Sequence, residues 1–257
     1  MADISPAVVF NPGQEAMTSE RHGHVVSDLA SRRQKGIKIE RLLGLGPSAR
    51  RRRLLEIGCG SGGISHYFAT NAELDIEVDA VDVTDSRGVT DGYRFHKVSD
   101  TQLPFADDTF DVVLSNHVIE HVGEYAEQMD HLREIRRVLR PDGVCYLAVP
   151  NRWMLVEPHY RLAFLSWLPV SLRSPYLRLS GRGTFYDCVP LEMEALERML
   201  GEGGFAFENV CVPALRQTFE IERPGSRGDR LLRRISDKWL LPWRPVIPTL
   251  IYVLKKF

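Results

Sequence analysis

The chain has 257 residues, 44% of them hydrophobic and 26% charged, with 20 Gly and 15 Pro. That length suits a single α/β domain with an appendage, and the composition excludes collagen-like, low-complexity and disordered classes. Lys and Arg number 33 against 34 Asp and Glu, a net charge of −1, which supplies no general attraction for nucleic acid.

The four cysteines, Cys59, Cys145, Cys188 and Cys211, form no CxxC pair. Disulfides and a structural zinc are therefore not expected, and a reducing cytoplasm suits the chain. The amino-terminal MADISPAVVFNPGQEAM has no basic stretch leading into an apolar core, so no signal peptide is read. No run of about 18 apolar residues marks a membrane span.

In chain order, residues 1–50 end in a broken amphipathic helix, with Val25, Leu29, Ile37, Leu42 and Leu43 at helical spacing. The basic run Arg50 to Arg53 reads as a solvated strand entrance. From there the pattern changes: RLLEIG predicts a strand, a Gly-rich turn follows, ISHYFATNAEL predicts a helix and IEVDAVDV a second strand. Strand, helix and strand within about 30 residues is a βαβ unit, which predicts a parallel sheet with right-handed crossovers. YRFHKVS and FDVVLSN continue as strands, GEYAEQMDHLREIRRVL as a helix, RPDG as a turn and VCYLAVP as a fifth strand. The segment from Asn151 to Pro190, rich in aromatic residues and Pro, breaks the alternation and reads as an inserted substrate lid. LEMEALERMLGEGG then predicts a helix, FAFENVCV a strand, the stretch near RLLRRISDKWL a basic helix and LIYVLKK a terminal strand. One domain results, divided into an N-terminal helical cover (1–50), a cofactor-binding core (51–150), the lid (151–190) and a C-terminal helix and strand region (191–257).

The turn after the first strand, within LLEIGCGSGG, satisfies both GxGxG (Gly58, Gly60, Gly62) and GxGxxG (Gly58, Gly60, Gly63). Bare backbone at a strand's carboxyl end lets a ligand approach closely, and both a nicotinamide and an S-adenosylmethionine site remain open on these glycines. Asp82, in AVDVT at the end of the second strand, is placed to accept hydrogen bonds from ribose hydroxyls. Asp100, in VSDTQLPF, follows the third strand and reads either as an acceptor for an adenine amino group or as a helix cap.

Four segments in order, LLEIGCGSG, AVDVT, SDTQLPFADDTFDVVLSNHVIEHV and REIRRVLRPDGVCYLAVPN, resemble class I S-adenosylmethionine-dependent methyltransferases, the group that includes small-molecule, quinone and sugar methyltransferases. The resemblance implies a Rossmann-like α/β fold: a seven-stranded, mostly parallel sheet with helices on both faces and the last strand antiparallel. It also implies S-adenosyl-L-methionine as cofactor. Carried over by position, Glu56, Gly58, Gly60 and Gly62 border its methionine part, Asp82 its ribose, Asp100 with Thr101 its adenine, and Asn116 its sulfonium; the Gly58 to Asp82 spacing is a few residues longer than the family's, so Val83 or Asp79 is able to share the ribose role.

Methyl transfer from a sulfonium is an in-line displacement whose donor carries its own activation, so the protein must align the nucleophile and exclude water. A hydroxyl acceptor benefits from a general base, and histidine suits that task near pH 7. His159, in NRWMLVEPHYRL with Glu157 beside it, and His117 are the candidates. His117 also reads as a residue packing against the cofactor, and His121 as structural. His117, Glu120 and His121 fall at i, i+3 and i+4, one face of a helix, and His159 would complete an alternative metal site. A similar cluster, with Glu at its first position, binds a divalent metal in small-RNA 2′-O-methyltransferases and some quinone O-methyltransferases; outside that alternative no metal is expected.

Arg152, Trp153, Tyr160 and Tyr186 are the lid's candidates for substrate contact, since aromatic faces beside Arg suit sugar rings, phosphates, aromatic acceptors and lipid headgroups. A lid that packs its own aromatics into a core is the competing reading. The tail RLLRRISDKWLLPWRP sets Trp239, Leu240, Leu241 and Trp243 among basic residues, which fits core packing or an interfacial helix. The expected activity is O-methylation of a hydroxyl on a sugar, glycolipid or secondary metabolite, assisted by a His base. The acceptor is then a small molecule or a glycan- or lipid-linked group, with no nucleic-acid partner and optional peripheral membrane contact through the C-terminal region. The alternatives are a quinone or aromatic O-methyltransferase, metal-assisted or not, an NAD(P)-dependent oxidoreductase using the same glycines, and a non-catalytic cofactor-binding protein. The oligomeric state stays open.

Overall fold

A computed structural model describes residues 28–157 and 159–257; Val25 and the rest of residues 1–27, the first half of the expected N-terminal cover, lie outside them. Helix α1 (Leu29–Leu43) is capped at its start by Asp28, whose carboxylate accepts from the Ala30 N–H, and at its end by Gly44 in the left-handed region. Strand β1 (Arg52–Ile57), helix α2 (Gly63–Thr70) and strand β2 (Ile76–Asp82) form the predicted βαβ unit. Strands β3 (Arg94–Lys97) and β4 (Phe110–Asn116) follow, then helix α3 (Tyr125–Val138) and strand β5 (Leu139–Pro150). The lid contributes the short hairpin β6 (Val156–Glu157) and β7 (Leu162–Ala163) and helix α4 (Val170–Leu179). Helix α5 (Met193–Glu202), strand β8 (Phe205–Asn209), helices α6 (Cys211–Glu222), α7 (Arg227–Leu232) and α8 (Asp237–Leu240), and strand β9 (Thr249–Lys256) complete the chain.

The main sheet has seven strands in the order β3-β2-β1-β4-β5-β9-β8. The first five run parallel, and β9 is antiparallel to both of its neighbours. Because side chains alternate along a strand, neighbouring apolar residues enter opposite cores. Leu55, Ile57, Val113 and Leu147 join one core, closed by α3 (Leu132, Ile135) and α5 (Leu196, Leu200). Leu54, Val112, Leu114 and Tyr146 join the other, closed by α1 (Ile39), α2 (Phe68) and α6 (Ala214). Burial on both faces explains why these strands read as continuous apolar runs. The lid holds a third, separate core of Tyr160, Leu162, Leu165, Leu177, Tyr186 and Cys188.

Three local expectations are corrected. RPDG is not a free turn: Leu139 already pairs with Phe110, and the ladder resumes at Val144 opposite Val112, so Arg140 to Gly143 form a wide irregularity within β5. FAFENVCV stops as a strand at Asn209, whose side-chain oxygen accepts from the Cys211 N–H, and the unforeseen α6 begins there. His117, Glu120 and His121 do not lie on a helix; a three-residue 3-10 turn, Ile119–His121, follows His117, which has φ 59.

The basic run at the other end of the sheet is ion-paired. Arg53 lies 3.0 Å from Asp79, and Arg51 lies 3.7 Å from Asp75. Asp79, buried in β2, also receives Arg94 Nε at 3.0 Å and pairs with His96 at 2.9 Å. Burial works against its ionisation, but the hydrogen bonds from Arg94, His96 and Arg53 prevail and hold its pKa down to about 2. A carboxylate committed to three basic groups cannot also serve a ribose, so Asp79 is withdrawn from that role.

Candidate active site

The carboxyl ends of β1, β2, β3 and β4 carry the candidate site residues of the core. After β1, Gly58, Gly60 and Gly62 have φ of 71°, 51° and 77°, a region strained for any residue with a Cβ. Space is also short: a Cβ on Gly58 would stand 2.5 Å from Val118 Cγ2, and one on Gly62 would collide with Tyr93 Oη and the Val89 carbonyl. Asp82 braces this loop from β2. Its Oδ2 accepts from the Gly60 N–H at 2.8 Å and its Oδ1 from the Thr84 N–H at 3.1 Å, while Val83 stands exposed.

Glu56 is buried at the end of β1, where it accepts from the Ser65 hydroxyl, and burial pushes its carboxyl up to about 7. Asp100 accepts from the Gln102 N–H at 2.8 Å and from the Ser99 hydroxyl at 3.0 Å, an Asx turn instead of a helix cap. It borders an open groove of about 800 Å³ whose far wall is Glu134 and Arg137 of α3; Thr101, next to it, is half-buried. Asn116 ends β4 with its side-chain oxygen buried and without a hydrogen-bond partner. A donor from water, an ion or a ligand would satisfy such an acceptor.

His117 leaves β4 with its N–H bonded to the Ala148 carbonyl and its Nδ1 3.4 Å from Glu120 Oε1. Burial lowers its pKa, and Glu120 offsets only part of that. Glu120 itself is 0% exposed, and neither carboxylate oxygen has a hydrogen bond. Burial alone would raise its pKa, yet His117 and His121 hold it below the ordinary carboxylate value.

In the lid, Glu157 is buried and its Oε1 lies 2.7 Å from His159 Nδ1, while its Oε2 accepts from the Tyr160 N–H. The short contact fixes the tautomer by holding the proton on Nδ1. Burial would lower the His159 pKa, but Glu157, with smaller help from Glu120 and Asp187, raises it. The His159 and His121 rings meet edge to face, 5.5 Å between centroids. The Val189 N–H donates to the Glu120 carbonyl, so the lid's end is tied to the turn after β4.

The expected metal set of His117, Glu120, His121 and His159 does not gather about one point. Among the described residues, the donor groups that close on one another are His121, Asp187 and Cys188, and Glu157, His159 and Cys188. Tyr160 and Tyr186 are buried in the lid's own core; the Tyr160 hydroxyl donates to Asp187, whereas the Tyr186 hydroxyl has no partner. Arg152 pairs with Glu192 at 2.9 Å and lies over Trp153, whose ring abuts Trp167. Core packing does not describe the tail, since Trp239 and Trp243 are 75% and 64% exposed. Lys35 of α1 escaped the sequence reading: burial, with Lys38 adding to it, pushes it down to about 7, and its charge acts on His117.

Residues 55–147 match the family profile described as a methyltransferase domain. With the reversed β9 and the glycine loop at the switch point, this makes the 55–147 stretch a methyltransferase domain of the class I S-adenosylmethionine-dependent type, with S-adenosylmethionine as its cofactor. The nicotinamide alternative is set aside on the same grounds, because a dinucleotide-binding sheet runs parallel through its last strand. The chain is 27% identical over 194 residues to a fatty-acid O-methyltransferase of Mycolicibacterium smegmatis, covering 73% of this chain and 65% of that protein. It is 33% identical over 129 residues to a ubiquinone biosynthesis O-methyltransferase of Parvibaculum lavamentivorans, covering 46% and 49%. The chain thus spans between about half and two thirds of the length of these curated relatives. A solved cyclase is 20% identical and aligns with a TM-score of 0.51 over 92% of this chain and 87% of its own; its likeness extends to the fold and not to the reaction.

Proposed function

We propose that the chain methylates a hydroxyl oxygen on a largely apolar small molecule, a phenol or long-chain alcohol, with His159 as general base. The observation that carries this reading is the 2.7 Å contact between Glu157 and His159. A carboxylic acid acceptor is already ionised near pH 7 and needs no base, whereas a hydroxyl keeps its proton until the transition state. An oriented histidine therefore favours the hydroxyl. The relatives named for fatty-acid and ubiquinone O-methylation support an oxygen acceptor with an apolar body, and within the expected range of sugar, glycolipid or secondary metabolite they favour the lipophilic end. Exposed Leu155, Val170, Leu172, Leu179 and Phe185 give the lid an apolar surface for such a body.

The assignment of cofactor contacts rests on fit. Asn116 offers an unsatisfied buried acceptor, the loop of Gly58, Gly60 and Gly62 admits close backbone approach, and Asp82, with Val83 beside it, and Asp100 with Thr101 supply acceptors and backbone groups for ribose and adenine. Bound S-adenosylmethionine supplies a methyl group on a positively charged sulfur. The chain's own task is to hold the acceptor in line, exclude water under the lid and take the hydroxyl proton onto His159 Nε2 while Glu157 steadies the imidazolium. His159→Ala is expected to slow hydroxyl methylation by roughly 100-fold or more and to leave methylation of a fatty-acid carboxylate near the wild-type rate. Equal loss on both acceptors would remove His159 from the base role.

The C-terminal segment fits contact with an anionic bilayer carrying such an acceptor, because exposed Trp239 and Trp243 stand among Arg230, Arg233, Arg234, Lys238 and Arg244. Sedimentation with phosphatidylglycerol vesicles tests it: binding lost in a Trp239→Ala, Trp243→Ala double variant is expected, and unchanged binding would dismiss the contact.

A further inference from the structure

We infer that His121, Asp187 and Cys188 form a binding site for a zinc-type divalent metal ion, which clasps the end of the lid to the turn after β4. The inference does not rest on the identity of the methyl acceptor. Cys188 Sγ lies 3.8 Å from His121 Nδ1 and 3.6 Å from Asp187 Oδ1, and the three donor atoms all lie within 4.8 Å of one another. Tetrahedral zinc, with sulfur and nitrogen at their usual bond lengths, separates those two donors by about 3.6 Å. The side chains therefore already stand near ligand spacing. Sulfur, imidazole and carboxylate together suit zinc or cobalt better than magnesium or calcium, which prefer oxygen alone.

A second observation comes from the surroundings. The other ring nitrogen of His121, Nε2, faces Glu120 Oε1 at 3.9 Å. A carboxylate behind the far nitrogen of an imidazole is the usual outer support of a metal-ligating histidine. Glu120 is fully buried, with His117 Nδ1 3.4 Å and His121 Nε2 3.9 Å from its Oε1 and, among the described residues, no closer hydrogen-bond donor, so the region holds a carboxylate matched only by two imidazoles. Glu157 is 1% exposed and Cys188 3% exposed nearby, which adds buried acidic groups around a thiol. A divalent ion would offset that negative charge and favour the thiolate form.

The arrangement does not depend on the ion for its assembly. The Val189 N–H bond to the Glu120 carbonyl sets the Cys188 segment beside the His121 turn, and the Tyr160 hydroxyl holds Asp187 at 3.2 Å. His159 Nδ1 lies 3.9 Å from the same sulfur but is engaged by Glu157, so the proposed set has three protein ligands.

Cobalt(II) titration of the metal-stripped full chain tests the site, read through the thiolate-to-cobalt charge-transfer absorption, with S-adenosylmethionine affinity measured on each sample. A stoichiometric band is expected for the wild type and none for Cys188→Ser. Glu120→Gln, which leaves all three ligands in place, is expected to weaken cobalt binding by roughly 10-fold to 100-fold. If Cys188→Ser does not fold, His121→Gln is read in its place, with a weakened and altered band expected. No band from folded wild-type protein, or an unchanged band in Cys188→Ser or in His121→Gln, would overturn the site. S-adenosylmethionine binding that persists in such a sample would leave the methyltransferase reading standing.

Discussion

Between Leu54 and Asn151 the candidate groups sit at strand ends, held by backbone geometry; between Asn151 and Pro190 they are held by one another. Asp82 is fixed by two backbone N–H groups, and Gly58 by its φ and the nearness of Val118. His159, by contrast, owes its orientation to the Glu157 side chain, and Tyr160 and Asp187 hold each other. A frame built from ladders tolerates little change, whereas a lid with its own small core can be altered without disturbing the cofactor side. On the proposed reading, in which the lid meets the acceptor, such a division would let acceptor choice change while the cofactor-binding half stays the same.

The first way to break this contrast is at the base of the sheet. Asp79→Asn leaves Arg53, Arg94 and His96 facing a neutral amide, and a loss on the order of 3 kcal/mol in urea unfolding is expected. The wild-type advantage should depend on pH with a definite sign. The Asp79 pKa is depressed to about 2, so its contribution is complete above the ordinary aspartate range and disappears as the pH falls through that range toward 2. A wild-type advantage that grew on acidification would contradict the pairing.

Next in size is Gly58→Ala, which places a Cβ at φ 71 and against Val118. About 2 kcal/mol of destabilisation is expected from strain and crowding, together with weaker S-adenosylmethionine binding in calorimetry. Asp82→Ala should cost the cofactor roughly 2 kcal/mol, or about 30-fold in affinity; wild-type affinity would remove Asp82 from the site. The smallest effect belongs to the lid. Tyr186→Phe deletes a buried hydroxyl with no partner, so stability within about 1 kcal/mol of wild type, or slightly above it, is expected with unchanged cofactor affinity.

The same division governs what could be read from the residues. The βαβ unit and FDVVLSN as β4 are legible because strand burial and turn glycines leave a periodic trace in the sequence, whereas the reversal of the final strand was implied by the family resemblance alone. RPDG misled because a Pro-Asp-Gly string serves a bulge as readily as a turn. NHVIEH has helical spacing, but His117 lies in the left-handed region, a tertiary outcome of β4 ending against Ala148. The partnership of His159 with Glu157 showed as near neighbours in sequence. Cys188 beside His121 left no such trace, since 67 residues separate them and only the folded lid joins them.

The most direct test of the account is methyl transfer itself: isotope-labelled S-adenosylmethionine incubated with the full chain and a matched pair of lipophilic acceptors, one a phenol and one lacking its hydroxyl, followed by mass spectrometry. The account predicts an O-methyl ether from the phenol and no product from its partner. Label on nitrogen or carbon, or no transfer to any hydroxyl acceptor by protein that binds the cofactor, would contradict it.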